Sequence, residues 1–371
     1  MVAKRITELI SAWQAFLKSA RAAHSQTGKS IGSQFWECRR LRYGFGKLSR
    51  SDYYDYRLFD DALTFADKQR FVGFDTGFHI NATLNKATWK VFADDKLLFY
   101  AACQGLEIPV PVLQGVFDVR RRRFGDVPVI ATETELLMFL RERVVYPFFC
   151  KPSFGQWGDD TAAVESFDDE RSELALLNGK RIALPTFVAD LKAARGGYVI
   201  QELVRPHAEL EAICGPAVST VRMMTITGED GPKLFGAVWR IPSRGNWTDN
   251  FHKGMSGNML GLIDPESGRV VRFTAGMGLT LREMERHPDT QAPMLGRILP
   301  NWAAARELAL RGAASFPGYQ FHHWDVAFSN RGPVALELNF NGGVDIYQLV
   351  SHRGVFHGLL EEAFRAATQK H

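Results

Sequence analysis

Three stretches of this chain carry side chains whose types and spacing can do chemistry. One runs Phe148-Phe149-Cys150-Lys151-Pro152-Ser153-Phe154-Gly155-Gln156-Trp157-Gly158. A lysine fixed at a strand end holds positive charge where a phosphate can sit. Ser153 and the glycines after it let backbone N–H groups approach the phosphate oxygens. The alternative is an exposed lysine before a turn. There is no G-x-x-x-x-G-K-[ST] pattern, so the segment is not a Walker P-loop. A second stretch runs Trp324-Asp325-Val326-Ala327-Phe328, turns, and returns as Ala335-Leu336-Glu337-Leu338-Asn339-Phe340. Side chains alternate across a strand, so Glu337 and Asn339 share a face. Asp325 lies twelve residues before Glu337, and a regular hairpin is expected to bring it to that face. Two carboxylates and an amide are hard oxygen ligands that suit Mg²⁺, which keeps some waters and completes its shell with nucleotide phosphates. A solvated polar face is the alternative. Leu336, Leu338 and Phe340 on the other face, and Gly342-Gly343 beyond, favour the ion. The third stretch, Tyr198-Val199-Ile200-Gln201-Glu202-Leu203-Val204, can offer backbone amides and carbonyls to a nucleobase and an acid to a ribose. By composition alone it is a plain sheet strand.

Other polar clusters carry less. Arg120 to Arg123 form a run of four arginines, expected as a solvated loop or strand edge, with contact to an anion as the alternative. His322 and His323 suit zinc by type, but adjacent strand residues point to opposite faces, which argues against one shared ion.

Elements must position these residues. Ile6, Leu9, Ile10, Trp13, Phe16 and Leu17 recur at helical steps, which predicts an amphipathic helix over residues 5 to 22. It is expected to pack on the protein's own core, because its polar face is not strongly basic; a membrane-surface helix is the alternative. Residues 35 to 72 are rich in aromatics and arginine and are expected to add helix in an N-terminal cap. Lys96 to Cys103 reads as a helix ending at Gly105 in a left-handed position. Thr132 with Glu135 is a capping box that opens a helix to about Arg143. Strands are expected at Val144 to Cys150, Thr161 to Val164 and Gly197 to Leu203. Two more, at 217 to 227 and 233 to 241, flank the turn Gly228-Glu229-Asp230-Gly231. A helix is expected from Asn301 to Ala314. Strands at 324 to 329 and 333 to 340 flank the turn Ser329-Asn330-Arg331-Gly332, and a last helix spans about Phe356 to Thr368. Tight turns between strand pairs argue an α+β fold with antiparallel sheets.

Composition sets outer bounds. The chain has 371 residues, with 46% hydrophobic and 23% charged residues, which excludes wholesale disorder. No apolar stretch approaches the roughly 18 residues of a membrane span. The formal charge of +4 permits an anionic small molecule without demanding nucleic acid. Cys38, Cys103, Cys150 and Cys214 form no C-x-x-C pair and are expected to be reduced and buried, which suits the cytoplasm.

In their order along the chain these signals resemble the ATP-grasp superfamily: Asp95-Lys96, then Lys151-Pro152-Ser153, then Gln201-Glu202-Leu203-Val204, then Asp325 with Glu337-Leu338-Asn339. The finer resemblance is to the sugar-transfer-associated ATP-grasp family. It rests on Tyr53 to Leu58, Asp95 to Phe99, Ser219-Thr220-Val221-Arg222, Gly236 to Ile241, Asp249-Asn250-Phe251 with Gly254 and Gly257, and His287-Pro288-Asp289-Thr290. The resemblance implies two α+β subdomains gripping ATP between antiparallel sheets, behind a helical N-terminal region. The divisions would be 1–93, 94–205 for the lid subdomain and 206–371 for the subdomain with the metal site. It implies Lys96, Lys151 and Ser153 at the ATP phosphates, Gln201, Glu202 and Val204 at the adenine, and Glu209 or Glu211 at the ribose. It implies Mg²⁺ on Asp325, Glu337 and Asn339, and Arg222 facing the γ-phosphate or a substrate carboxylate, which a guanidinium fork matches equally. Two departures stand out. The loop from Phe154 to Asp160 has only two glycines and a tryptophan, and His323 stands where relatives often carry a basic residue.

The implied activity is ATP- and Mg²⁺-dependent joining of a small-molecule carboxylate to an amine, with no nucleic acid or membrane partner. A kinase on the same fold is one rival. A non-catalytic nucleic-acid or polysaccharide binder using Arg120 to Arg123 is the other.

Overall fold

The computed structural model describes residues 2–155, 160–193, 196–243 and 245–369. Gln156, Trp157 and Gly158 of the lysine-bearing stretch lie outside the described residues. Two seven-stranded sheets carry the molecule. The first comprises β1 (Leu113–Phe117), β2 (Val129–Ile130), β3 (Phe148–Pro152), β4 (Ala162–Asp168), β5 (Glu173–Leu176), β6 (Arg181–Ala183) and β7 (Tyr198–Glu202). Its order is β2-β1-β7-β3-β4-β5-β6, and only the β1–β2 pair is parallel. The second comprises β8 (Thr220–Gly228), β9 (Gly231–Ile241), β10 (Met259–Ile263), β11 (Val270–Ala275), β12 (Arg282–Glu283), β13 (Phe321–Ser329) and β14 (Gly332–Asn339). It is antiparallel throughout, in the order β12-β11-β10-β9-β8-β13-β14. The α+β architecture expected from the tight turns is therefore present.

β13 is buried along its whole length, because helices cover the second sheet. The helix Trp302–Ser315 crosses one face so closely that a Cβ on Gly312 would lie 2.6 Å from the Trp324 ring. Trp324 also meets Phe316 edge-on and packs near Phe99 of the helix Lys96–Gly105. The N-terminal helices supply Phe16, Ala20, Leu41, Tyr53 and Tyr54, and the turn after them Phe59, to a cluster with Val238 and Leu260 of this sheet. The amphipathic N-terminal helix runs Val2–Thr27, longer than its apolar pattern marks. All four cysteines are free and buried.

The Thr132–Glu135 capping box forms as expected, at the start of the helix Glu133–Glu142. Three expectations need correction. Gly105 is the last residue of its helix, not the left-handed residue beyond it. That role falls to Glu107 at φ +54, where the Glu107 N–H reaches Gln104 and the Ile108 N–H reaches Cys103, a Schellman closure. Val144 to Pro147 stay outside β3. The β13–β14 hairpin is not regular, as described below. Short strands β5 and β6, the β10–β11 pair, and helices over 74–84, 184–193 and 345–351 carry no pattern strong enough to stand out in the sequence.

In the N-terminal layer, Lys68 is 1% exposed and Lys29 is 8% exposed. Glu37 lies between them: its carboxylate is 2.6 Å from Lys29 Nζ and 3.2 Å from Lys68 Nζ, and accepts from Tyr53 Oη at 2.7 Å, while Asp61 meets Lys29 Nζ at 2.6 Å. Removing one partner of a buried ion pair strands the other charge. Glu37→Ala should therefore destabilise the protein by about 3 kcal/mol, read as a lower urea midpoint. A midpoint equal to wild type would show that water reaches these lysines.

Candidate nucleotide and metal site

The site is built on a row of side chains across the middle of the second sheet. Arg222 on β8 pairs with Asp325 on β13, and Asp325 pairs on its other side with Glu337 on β14. Paired residues share a face, so the three project together. A bulge makes this so. The turn sets Ser329 opposite Gly332, and Val326 is still opposite Ala335, but the next pair is Asp325 with Glu337. Leu336 is the extra residue. In a regular hairpin Asp325 would face Leu336, and Glu337 would point to the other side of the sheet.

Asp325 accepts from Arg222 through both oxygens, Nε to Oδ1 and Nη2 to Oδ2, the latter at 3.1 Å. Arg240 adds a contact to Oδ2 at 3.1 Å, and Asn339 Nδ2 donates to the same oxygen at 3.4 Å. Burial opposes charge on this carboxyl, but the two guanidiniums outweigh it and hold it down at about 2. Arg240 also meets Asp249 at 3.5 Å, and Asp249 accepts from the Thr220 backbone at 2.8 Å.

The lysines arrive from the other sheet. Lys151, on β3, is 5% exposed. Its Nζ donates to the Leu336 carbonyl at 3.3 Å, which the bulge leaves outside the ladder, and lies 3.7 Å from Glu337 Oε1. It also sits 5.7 Å over the Tyr100 ring. Burial lowers its pKa to about 8, with neighbouring Lys96 adding to the shift against the pull of Glu337. Burial likewise lowers Lys96, which Glu337 and Asp95 partly restore. The Lys96 Nζ donates to Gly155 O at 2.8 Å, and its N–H donates to Ser153 O at 3.0 Å. The buried Ser153 Oγ has no hydrogen-bond partner among the described residues. Asp95 is answered by Arg122, so two buried ammonium groups face one half-exposed carboxylate, Glu337; local positive charge remains, together with a buried hydroxyl ready to donate. This is an anion site in chemical character.

The remaining residues singled out in the sequence lie at varied distances from this centre. Gln201 is buried in β7 and its Oε1 accepts from Tyr100 Oη at 2.5 Å. The Glu202 N–H donates to Val112 O, and its carboxylate accepts from Arg331 at 2.6 Å. Val204 packs in a small apolar cluster with Ala327 and Val334. Glu209 is exposed on the first turn of the helix Ala208–Cys214, where its N–H donates to His207 Nδ1. No ion pair among the described residues links Glu209 to Lys96 or Lys151. His322 stacks between Tyr319 and Trp324, while His323 Nε2 meets Asn81 Oδ1 at 2.9 Å.

Among the described residues no three His, Cys, Asp or Glu side chains stand together as a metal cluster. The oxygen set does fit Mg²⁺ in another way. Glu337 and Asn339 stand two apart on one face with open valences, while Asp325 would have to exchange a guanidinium contact for the ion. Such a set holds Mg²⁺ only with water and phosphate completing the shell.

Two contributors escaped the sequence reading. Arg240 sits in Gly236 to Ile241, but nothing in the spacing reveals that it reaches Asp325. Arg122 hides within the arginine run. Arg120 and Arg121 are exposed and pair with Asp118 and Glu135. Arg122 instead turns inward to Asp95 at 2.7 Å and lies 5.5 Å over the Phe154 ring. Asp95 caps the helix that begins with Lys96, accepting from the Leu97 and Leu98 N–H groups. Arg122 thus clamps the Lys96 helix and the loop after Lys151 together. Only the alternation of pairing along the run tells it apart from its neighbours.

Residues 79–362 match the sugar-transfer associated ATP-grasp family, and the chain belongs to that family. No curated protein matches it. Among solved structures it is similar to a RimK domain ATP-grasp protein from Sphaerobacter thermophilus, at 15% identity over 75% of this chain and 69% of the other, with a TM-score of 0.40. It is similar to the ATP-grasp ligase PsnB complexed with minimal precursor, at 15% identity over 77% and 63%, TM-score 0.40. It is also similar to biotin carboxylase from Campylobacter jejuni, at 11% identity over 76% and 48%, TM-score 0.44. The chain spans less than two thirds of the latter two structures. Resemblance this distant carries no information about substrate.

Two outcomes follow from this geometry. Arg122→Ala should weaken binding of a non-hydrolysable ATP analogue about tenfold, while Arg121→Ala leaves it unchanged; equal titration isotherms for the two variants would remove Arg122 from the site. The lowered Lys151 sets a pH dependence. An anion prefers the protonated lysine, so analogue affinity should fall as pH rises through about 8. Lys151→Arg, which stays charged, should flatten that fall. Isothermal titration across the range checks both.

Proposed function

We propose that this protein is an ADP-forming, ATP- and Mg²⁺-dependent carboxylate–amine ligase. The observation that carries the reading is the meeting of the two sheets at Lys151, where an under-neutralised lysine pair lies against the Arg222–Asp325–Glu337 row. In this reading Lys96, Lys151 and the Ser153 hydroxyl hold the ATP phosphates, clamped by Arg122 and Asp95. The adenine lies along Gln201 to Val204, with Glu209 or Glu211 at the ribose. Glu337, Asn339 and Asp325 hold Mg²⁺, which when bound neutralises charge on the β- and γ-oxygens.

A carboxylate oxygen of the substrate attacks the γ-phosphorus, the bond to the β-phosphate oxygen breaks, and ADP leaves. The amine nitrogen then attacks the acyl carbon of the acyl phosphate, inorganic phosphate departs, and the amine proton passes to phosphate or solvent. In this reading the acceptor carboxylate approaches from the Arg222 end of the row. Its guanidinium steadies the incoming carboxylate and the charge that develops during transfer. Arg240 holds Asp325 so that Arg222 keeps its place. The chain's contribution is positioning and fixed charge. The family's association with sugar transfer makes a uronic acid and an amino acid the first substrates to try.

With those substrates, ADP and phosphate should accumulate, and hydroxylamine in place of the amine should give a hydroxamate. AMP as the main product would reject attack at the γ position. ADP with a stable phosphoester and no hydroxamate would make the protein a kinase. Glu337→Gln and Asn339→Ala should each cut turnover about a hundredfold or more with unchanged circular dichroism. Activity within a few-fold of wild type in both would sink the metal assignment.

A further inference from the structure

The segment before residue 79 lies outside the family match, and its outer surface has a distinct chemistry. The helix Ile31–Tyr43 turns Gln34, Cys38 and Leu41 inward. Outward it presents Trp36, 61% exposed, and Tyr43, 77% exposed, with Arg39 and Arg40 between them. Arg39 lies 5.3 Å over the Tyr43 ring and Arg40 lies 3.8 Å over the Phe65 ring, around one shallow cleft. Phe45 follows Gly44 of the cleft and is 43% exposed, with its inner face stacked on Phe356 at 4.0 Å. Trp13 lies 6.0 Å from the Phe35 ring, with Ile10 on the same helix also exposed.

Its charge is one-sided. Between Ser30 and Ser51 the only acid is Glu37, and it is committed to Lys29 and Lys68. Arg39, Arg40, Arg42, Lys47 and Arg50 are exposed, and none forms an ion pair among the described residues. Arg120, Arg121 and Arg122 are all paired. Unpaired guanidiniums held over rings are ready for anions. Exposed tryptophan and tyrosine beside an isoleucine and a phenylalanine suit the boundary between headgroups and acyl chains. A soluble polyanion would use the arginines but has no need of Ile10, Trp13 and Phe45.

We propose that this face docks the protein on the surface of a bilayer containing anionic lipid. Among the described residues no helix is long and apolar enough to cross a membrane, so the contact would be peripheral. It revises the expectation of no membrane partner and stands independently of the ligase reading. Each basic residue near an anionic surface is worth about a fivefold factor in partitioning.

The test is co-sedimentation of the full chain with vesicles of phosphatidylcholine alone, or of phosphatidylcholine with one third phosphatidylglycerol. Binding should require the anionic lipid and weaken as salt rises. Arg39→Glu with Arg40→Glu should lower it by at least about 25-fold. Trp36→Ala with Tyr43→Ala should weaken it while leaving its salt dependence in place. These side chains are exposed, so circular dichroism and affinity for the ATP analogue should match wild type. Equal binding to both vesicles, binding to neither, or charge-reversed protein that sediments like wild type would overturn the proposal. So would capture by DNA or an acidic polysaccharide with no vesicle binding.

Discussion

A guanidinium and a carboxylate buried side by side in the centre of a sheet constrain everything around them. Arg222 and Asp325 are each less than a tenth exposed, and either one alone would cost several kcal/mol. The structure closes the charge locally. Arg240 reaches Asp325 from β9, on the far side of β8, and Asp249 answers Arg240, so two cations and two anions share one buried patch. This patch also fixes strand register. A slip of β8 against β13 by one residue would carry Arg222 to the face where Trp324 packs against Phe99 and Phe316. The site and the fold are therefore specified by the same contacts.

The lysines follow the opposite logic. Lys96 and Lys151 are buried beside Glu337 and Asp95, Asp95 is already paired with Arg122, and burial lowers both lysines. The fold holds them at some cost to its own stability, since the charged form is disfavoured until an anion arrives. A bound polyphosphate would supply the missing charge. Glu337 stands at the boundary between the two regimes: opposite Asp325 in the ladder, and 3.7 Å from Lys151 in space. Its position depends on the bulge at Leu336, whose freed carbonyl gives Lys151 a second acceptor. One extra residue in a strand thus sets both the carboxylate and the lysine that meets it.

Much of this was legible in the sequence, and the gaps have physical causes. The capping box at Thr132 and the turns at Gly228 and Ser329 are local signals, so they read correctly. The i, i+2 pair of Glu337 and Asn339 follows from strand periodicity alone. The bulge does not, because it is a matter of pairing between strands, and a regular hairpin was the natural expectation. Gly105 looked like a helix stop, but the stop is set two residues later. Ile108 is buried in the core and draws the Schellman closure with it, leaving Glu107 in the left-handed position. Arg122 was hidden because a run of like charges looks uniform in sequence, and only tertiary pairing separates its members.

His323 shows how the helical layer takes part in the same arrangement. It shares a face with Asp325, two residues on, and packs so tightly that a Cβ on Gly342 would fall 2.0 Å from the ring. Asn81 donates its amide hydrogens to Gly77 and Gly342, which turns its oxygen toward His323 Nε2. That oxygen can only accept, so Nε2 carries the proton. Burial, and the nearby Arg222 guanidinium, push the imidazole well below its ordinary range, so it is neutral. A neutral ring is what this position requires. The patch of Arg222, Arg240, Asp325 and Asp249 is already balanced, and an arginine here would add a third cation with no acid to meet it. The imidazole fills the space, ties the helix Phe74–Leu84 to β13, and leaves the charge on Asp325 undisturbed.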